Sequence, residues 1–256
     1  MKRLNLHNPL LDAPVYYIEE TESTMTDAKS LLLLGEGHGT VVVAGYQRAG
    51  RGRFSHRKWE SEPGDGLLMT VIISASRLVG GVSLLPSYCG LAVGRAIQSY
   101  CGTYSKIKWP NDVLIAGRKV AGILCERKDN MLLVGIGINC RKREFNGHRF
   151  GYQPTSLGNE THKGVQALDL LEPVLAEIHR VISGPVPLLD VENQLYLLNE
   201  TVEMVVGLPE DCNIVTGMLS GLANDGQLIV TEPVSGKRLR ISSGEIVSYK
   251  AGQVRG

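Results

Sequence analysis

Apolar positions along the chain show two textures. Up to about residue 200, helical spacings alternate irregularly with short, uniformly apolar runs; beyond it only short runs between turn residues remain. Ser23 as N-cap and Gly35 as stop bracket a predicted helix over 24–34. Residues 40–46, with three consecutive valines, read as a buried strand, and the apolar run 66–74 as a second. A helix over 83–100 carries Leu84, Leu85, Tyr88, Leu91, Ala92 and Ala96 on one stripe, with Pro86 tolerated in its first turn. Strands at 112–115, 119–127 and 130–139, with turns at Gly117-Arg118 and Asp129-Asn130, predict an antiparallel meander. Leu168, Leu171, Leu175, Ile178 and Ile182 predict a helix over 165–182, which Pro173 bends or confines in part to a looser turn. Gly184-Pro185-Val186-Pro187 ends it, and 188–198 reads as one more helix.

From residue 200 five short strands are expected, at 201–206, 213–222, 227–231, 237–241 and 245–250. So few residues make a small β-barrel docked on the larger part. The fold class is therefore α+β rather than a doubly wound sheet. Two domains are expected, 1–200 and 201–256.

Composition narrows the function. Hydrophobic residues make up 43% and charged residues 21% of the 256, the balance of a soluble globular protein. A formal net charge of +1 gives no global attraction to nucleic acid or an anionic membrane. The apolar runs 67–73 and 131–138 are too short to span a bilayer. Five widely spaced cysteines without a CxxC pair, and no secretory leader, point to free thiols in the cytoplasm.

Candidate chemistry sits in two segments. Gln47 to Trp59 (QRAGRGRFSHRKW) places five fixed positive charges in eleven residues with glycines between the arginines. Glycines let backbone approach a ligand closely, and arginine forks suit phosphate or carboxylate. A solvated basic loop and a nucleic-acid-binding segment fit this stretch as well. The second segment runs from Lys106 to Asp112 (KIKWPND) and on through Gly117 to Leu124 (GRKVAGIL). Trp109 before Pro110 is held extended, and Asn111-Asp112 can turn the chain while aiming an amide and a carboxylate. An ordinary hairpin with a charged tip also fits, with Lys119 facing solvent. There is no GxxxxGK[ST] phosphate loop, no complete dinucleotide fingerprint around Gly135-Ile136-Gly137, no HExxH and no GxSxG elbow.

In order along the chain these segments resemble the catalytic domain of biotin protein ligases. The resemblance rests on Glu22-Ser23-Thr24; Gln47 with Ala49-Gly50-Arg51-Gly52-Arg53 and Arg57-Lys58-Trp59; Lys108-Trp109-Pro110-Asn111-Asp112; Arg118 to Leu124; and Gly135 to Asn139. Ile241 to Ile246 is similar to the end of that family's SH3-like barrel. The resemblance spans about residues 16–250. It implies a class II synthetase-like domain, a mixed or antiparallel sheet with helices, followed by the small barrel.

The implied activity is ATP-dependent: biotin becomes biotinyl-5'-AMP and is passed to a lysine of a biotin carboxyl carrier protein. Lys119, Arg51 and Arg53 take the catalytic roles, Lys119 bridging carboxylate and phosphate. Ser23, Thr24 and Gln47 hold the ureido ring, and Gly50, Gly52 and Gly122 line the acid's path. Arg53, Arg57, Trp59, Lys108, Asn111, Asp112, Lys119 and Asn139 hold the adenylate, with Mg²⁺ on Asp112 through the nucleotide. Catalytic-looking residues within the first 25 imply the short type, without a DNA-binding domain. The family holds both homodimers and monomers. Met25 departs from the family's usual Asn, and the link from Arg53 to Trp59 is one residue longer. Between His56 and Arg57, Arg57 is favoured for the last loop-arginine role. A lipoate or octanoate ligase, an inactive relative and a nucleic-acid-binding module are the competing readings; near-zero net charge disfavours the last.

Overall fold

The computed structural model describes residues 1–54, 57–141, 143–145, 153–207 and 213–250, with residues 248–250 described by backbone alone. His56 and Cys212 therefore lie outside the described residues. In chain order the elements are β1 (Lys2–Arg3), β2 (Val15–Thr21), α1 (Thr24–Leu33), β3 (Val41–Gln47), β4 (Gly50–Arg51), β5 (Lys58–Trp59) and β6 (Gly66–Ser74). There follow α2 (Leu85–Cys101), β7 (Lys106–Lys108), β8 (Asp112–Ile115), β9 (Arg118–Lys128), β10 (Met131–Asn139), α3 (Leu157–Thr161), α4 (Leu171–Ser183) and α5 (Leu188–Glu192). The last strands are β11 (Thr201–Val206), β12 (Asn213–Leu222), β13 (Leu228–Thr231), β14 (Arg238–Ile241) and β15 (Gly244–Lys250).

Eight strands form one sheet in the order β1-β2-β3-β6-β10-β9-β8-β7, with only β2 and β3 parallel. The expected meander is its β8-β9-β10 part. Its first turn is Ala116-Gly117, one residue earlier than expected. Both residues have positive φ, 48° and 74°, as a two-residue turn matching strand twist requires. The second turn contains Asp129 at φ 55°. On one face α2 packs against the sheet and α4 packs against α2, around the main core; the other face carries a smaller cluster of Met25, Ala28, Leu31, Val42, Ile72 and Leu133 under α1.

Several helices differ from expectation for local reasons. The 83–100 helix opens with a 3₁₀ turn, Val82–Leu84, and puts Pro86 in the first turn of α2, where a missing N–H costs nothing. The 165–182 helix is likewise a 3₁₀ turn, Ala167–Leu170, followed by α4, so Pro173 falls in the first turn of α4. Leu168 is consequently exposed rather than in the core. The 188–198 helix stops at Glu192, because Leu195 instead bridges to Ile107 beside β7. Among the described residues no helix is long and apolar enough to cross a membrane. Cys89, Cys101, Cys125 and Cys140 are free, and burial pushes the Cys125 and Cys140 thiols up to about 12.

All five C-terminal strands appear, as an antiparallel sheet in the order β14-β13-β12-β11-β15. Along the described residues its ladder is open between β14 and β15, an SH3-like arrangement. It docks on the turn between β7 and β8 and on α5: Trp109 Nε1 donates to the carbonyl of Gly226 at 3.0 Å, and the Glu192 carboxylate accepts from the Leu222 N–H at 2.8 Å.

Candidate active site

A cleft of about 870 Å³ opens on the α1 face of the large sheet. Helix α1 contacts β3, β6 and β10, leaving the neighbouring rows of that face to be covered by other parts of the chain. Those rows meet at Gly137 and Gly122, which are paired across β10 and β9. The indole of Trp59 lies on this floor: a Cβ on Gly137 would be 2.5 Å from Trp59 Cε2, and one on Gly122 3.0 Å from Trp59 Cζ3. Glycine is required here by the close approach of the ring.

The next row along the sheet supports the start of α1. Gln47 Oε1, at the end of β3, accepts from the Thr24 N–H at 2.8 Å and the Thr24 hydroxyl at 3.0 Å. Thr70 donates to the Thr24 hydroxyl at 2.8 Å. Ser23 has the extended backbone of an N-cap but makes no side-chain capping bond, so Gln47 fills the role expected of Ser23. Ser23, Thr24 and Gln47 together form one polar corner of the cleft. Met25, the departure from the family's Asn, turns inward, and a Cβ on Gly135 would be 2.9 Å from its sulfur.

Lys119 reaches the cleft because of a bulge. Asp112 pairs with Gly122 and Val113 with Ala121, but Leu114 pairs with Lys119, leaving Val120 as the extra residue. Strand side chains alternate faces, so without the bulge Lys119 would point away from the Gly122 face; one inserted residue reverses the phase. Its ammonium then sits 2.6 Å from the Asp112 carboxylate and 5.6 Å from the centre of the Trp59 ring. The backbone of Lys119 is fixed on its other side, donating to Gln153 at 2.9 Å and accepting from Thr155 at 2.8 Å. Asn139 Nδ2 donates to the Thr155 carbonyl at 2.8 Å, and Asn111 Nδ2 to that of Ile123 at 3.1 Å, so both amides are oriented.

The Arg/Gly loop is a short hairpin, with Gly50 opposite Trp59 and Arg51 opposite Lys58. Phe54, part of the longer link, serves as a platform for two guanidinium groups, Arg53 at 4.5 Å and Arg57 at 5.0 Å from its ring centre. Arg57 forms a bidentate pair with Glu245 of β15, at 3.1 and 2.5 Å, and Arg53 donates to the Gly244 carbonyl at 2.9 Å. Lys108, buried at the end of β7, is 3.7 Å from Glu245. Burial pushes the Lys108 ammonium down to about 8, against the pull of Asp112 and Glu245. Burial also lowers Arg53 from its ordinary value. For Glu245 burial works upward, but the Arg57 hydrogen bonds and the charges of Lys108, Arg57 and Arg53 prevail and hold its carboxyl below the usual range.

Every residue expected at the site borders this one cleft: Ser23, Thr24, Gln47, Gly50, Arg51, Gly52, Arg53, Arg57, Trp59, Lys108, Asn111, Asp112, Lys119, Gly122 and Asn139. Arg51 stands apart from the Lys119 end, its guanidinium 3.2 Å from Glu126. Sequence reading missed Glu245, Glu126 and Arg143. The Gly244-Glu245 pair was legible as the end of a barrel but not as a wall of the site. Arg143 borders the cleft, reaching the Asp65 carboxylate at 3.2 Å and stacking on Phe145 at 4.3 Å.

Residues 17–142 match the model of the biotin/lipoate A/B protein ligase family. The biotin–[acetyl-CoA-carboxylase] ligase of Paracoccus denitrificans is 33% identical over 171 residues, 62% of this chain and 70% of that protein. The bifunctional ligase/repressor BirA of Bacillus subtilis is 35% identical over 146 residues, 55% of this chain. The match spans only 45% of BirA. In structure, the biotin protein ligase from Aquifex aeolicus in complex with biotin and ATP superposes with a TM-score of 0.78 at 28% identity, over 93% of this chain and 99% of that one. The chain belongs to the biotin protein ligases of the biotin/lipoate A/B protein ligase family.

Proposed function

We propose that this protein activates biotin with ATP and transfers it to a lysine of a biotin carboxyl carrier protein. We assign catalysis to a domain of residues 1–200 and the SH3-like sheet to one of 201–256. The bulge that turns Lys119 onto the glycine floor, beside Asp112, carries this reading; a lysine at that strand position would otherwise face away. The Aquifex aeolicus relative, bound to biotin and ATP, supports it.

In the first step a biotin carboxylate oxygen bonds to the α-phosphorus of ATP and pyrophosphate leaves. Two anions must meet, so cations have to stand where they react. Lys119, with Arg53 and Lys108 on the nucleotide side, fills that place, and Asp112 holds the Lys119 ammonium at 2.6 Å. Asn111, Asn139, Arg57 and Trp59 border the adenylate. The Ser23-Thr24-Gln47 corner takes the ureido ring, and the hydrocarbon part runs beside the Trp59 indole that covers the Gly122-Gly137 floor, with Gly50 and Gly52 next to it. In the second step the carrier amine attacks the acyl carbon, the acyl–oxygen bond to AMP breaks, and the amine loses a proton.

Among the described residues no group of three or more acidic, histidine or cysteine side chains could cage a metal ion. A single carboxylate, Asp112, suits Mg²⁺ arriving on the nucleotide, with phosphate and water as its other ligands. When bound, that ion shields triphosphate charge. Replacing Lys119 with Ala tests the assignment: biotin-dependent pyrophosphate release should fall by at least about 100-fold, the order seen when a transition-state charge partner is removed, in a folded protein. Unchanged release would remove Lys119 from the reaction.

A further inference from the structure

The three arginines Arg51, Arg53 and Arg57 have different anchors. Arg53 and Arg57 are held by Gly244 and Glu245 of β15, whereas Arg51 is held by Glu126 of β9. Glu126 also takes Lys29 of α1, at 2.6 Å. One carboxylate thus ties together the large sheet, the helix whose start forms the polar corner, and the first strand of the loop.

Its position along β9 gives this knot a meaning. Gly122, Leu124 and Glu126 share one face of the strand. The row of Gly122 and Gly137 lies under Trp59, and that of Leu124 and Gly135 under Met25. Glu126, opposite Leu133, is one row further from Lys119. Four residues of strand put Glu126 about 13 Å from Gly122. Arg51 therefore cannot bond Glu126 and neutralise charge beside Lys119 at the same time.

We propose that Glu126 is a positioning residue for acid binding: anchored to α1 through Lys29, it holds Arg51 and β4 across the end of the cleft remote from Lys119. Arg51 closes the pocket there and takes no part in adenylation. The hairpin is two residues long on each side, so small terms decide where it rests. The inference rests on the function proposed above for its kinetic consequence, but not for the contact itself.

The test is Glu126→Gln, with Glu126→Asp as the conservative control. In the ligand-free protein, amide exchange at Gly50, Arg51, Lys58 and Trp59 should quicken in Glu126→Gln and return toward wild type in Glu126→Asp. In acid-dependent pyrophosphate exchange, KM for biotin should rise about fivefold, the scale of losing partly exposed ion pairs, while kcat and KM for ATP stay within about twofold. Unaltered loop exchange in Glu126→Gln overturns the proposal. So does a fall in kcat with unchanged KM for biotin, which would put Arg51 at the reacting atoms. Quickened loop exchange together with a wild-type enzyme that ignores biotin would refute the proposed function and leave the anchor standing.

Discussion

Lys108 is a buried cation facing two carboxylates, and its environment sets a pH dependence. Its ammonium titrates at about 8, below the ordinary 10.5, because burial outweighs the attraction of Asp112 and Glu245. The folded, ligand-free protein therefore binds fewer protons than the unfolded chain between these values. Lys108 costs stability in full below about pH 8, and that cost is relieved as pH rises to about 10.5. Nucleotide binding has the opposite requirement, since phosphate needs the cation. KM for ATP should rise severalfold from pH 7.5 to 9, while a Lys108→Arg variant, charged throughout, stays flat over that range. A wild-type KM independent of pH would remove Lys108 from the nucleotide site. The resemblance placed Lys108 at the adenylate, but its burial and its partner Glu245, 137 positions away, were not legible in the sequence.

At the scale of elements, the strands were read well and the helix ends less so. The runs 112–115, 201–206 and 213–222 coincide with β8, β11 and β12, since apolar alternation between turn residues is a local signal. Strand β2 and the β4–β5 hairpin were not foreseen. Tyr16, Tyr17 and Glu20 do not alternate cleanly, and Gly50-Arg51 is a strand only because Trp59 folds back against it. The bulge at Val120 is invisible in a one-dimensional pattern, although it is what turns Lys119 into the cleft. The loop's contact with β15 yields a prediction at this scale. Glu245→Gln removes the partner of Arg57 and a neighbour of Lys108. The pair is partly exposed, so the cost should lie below that of a fully buried pair, about 1–2 kcal/mol. At about 2–4 °C per kcal/mol for a chain of this size, melting should drop by a few degrees. The Trp109–Gly226 bond would keep the C-terminal sheet attached. An unchanged melting temperature would mean that the Glu245 contacts contribute nothing to docking that sheet.

For the whole molecule, the residues expected at the site all border one cleft because their motifs lie at strand ends and in one loop that the large sheet gathers onto a single face; Glu245 and Arg143, which border it too, were not among them. What the chain order could not convey is that Gly244 and Glu245 of β15 border the same cleft, which has a polar corner, a glycine floor covered by Trp59 and a cluster of cations. That division fits an acid with a hydrogen-bonding ring, a hydrocarbon middle and a reactive carboxylate, and fits a plain fatty or dithiolane acid less well, because such an acid offers no polar group to the Ser23 hydroxyl and the Gln47 amide nitrogen, which take no part in the Thr24–Gln47 bonds. The most direct measurement is acid-dependent exchange of labelled pyrophosphate into ATP, with Mg²⁺ and either biotin, lipoate or octanoate. Exchange supported by biotin and not by the other two acids is the predicted result; exchange with lipoate or octanoate but not biotin, or with none of the three, would contradict it.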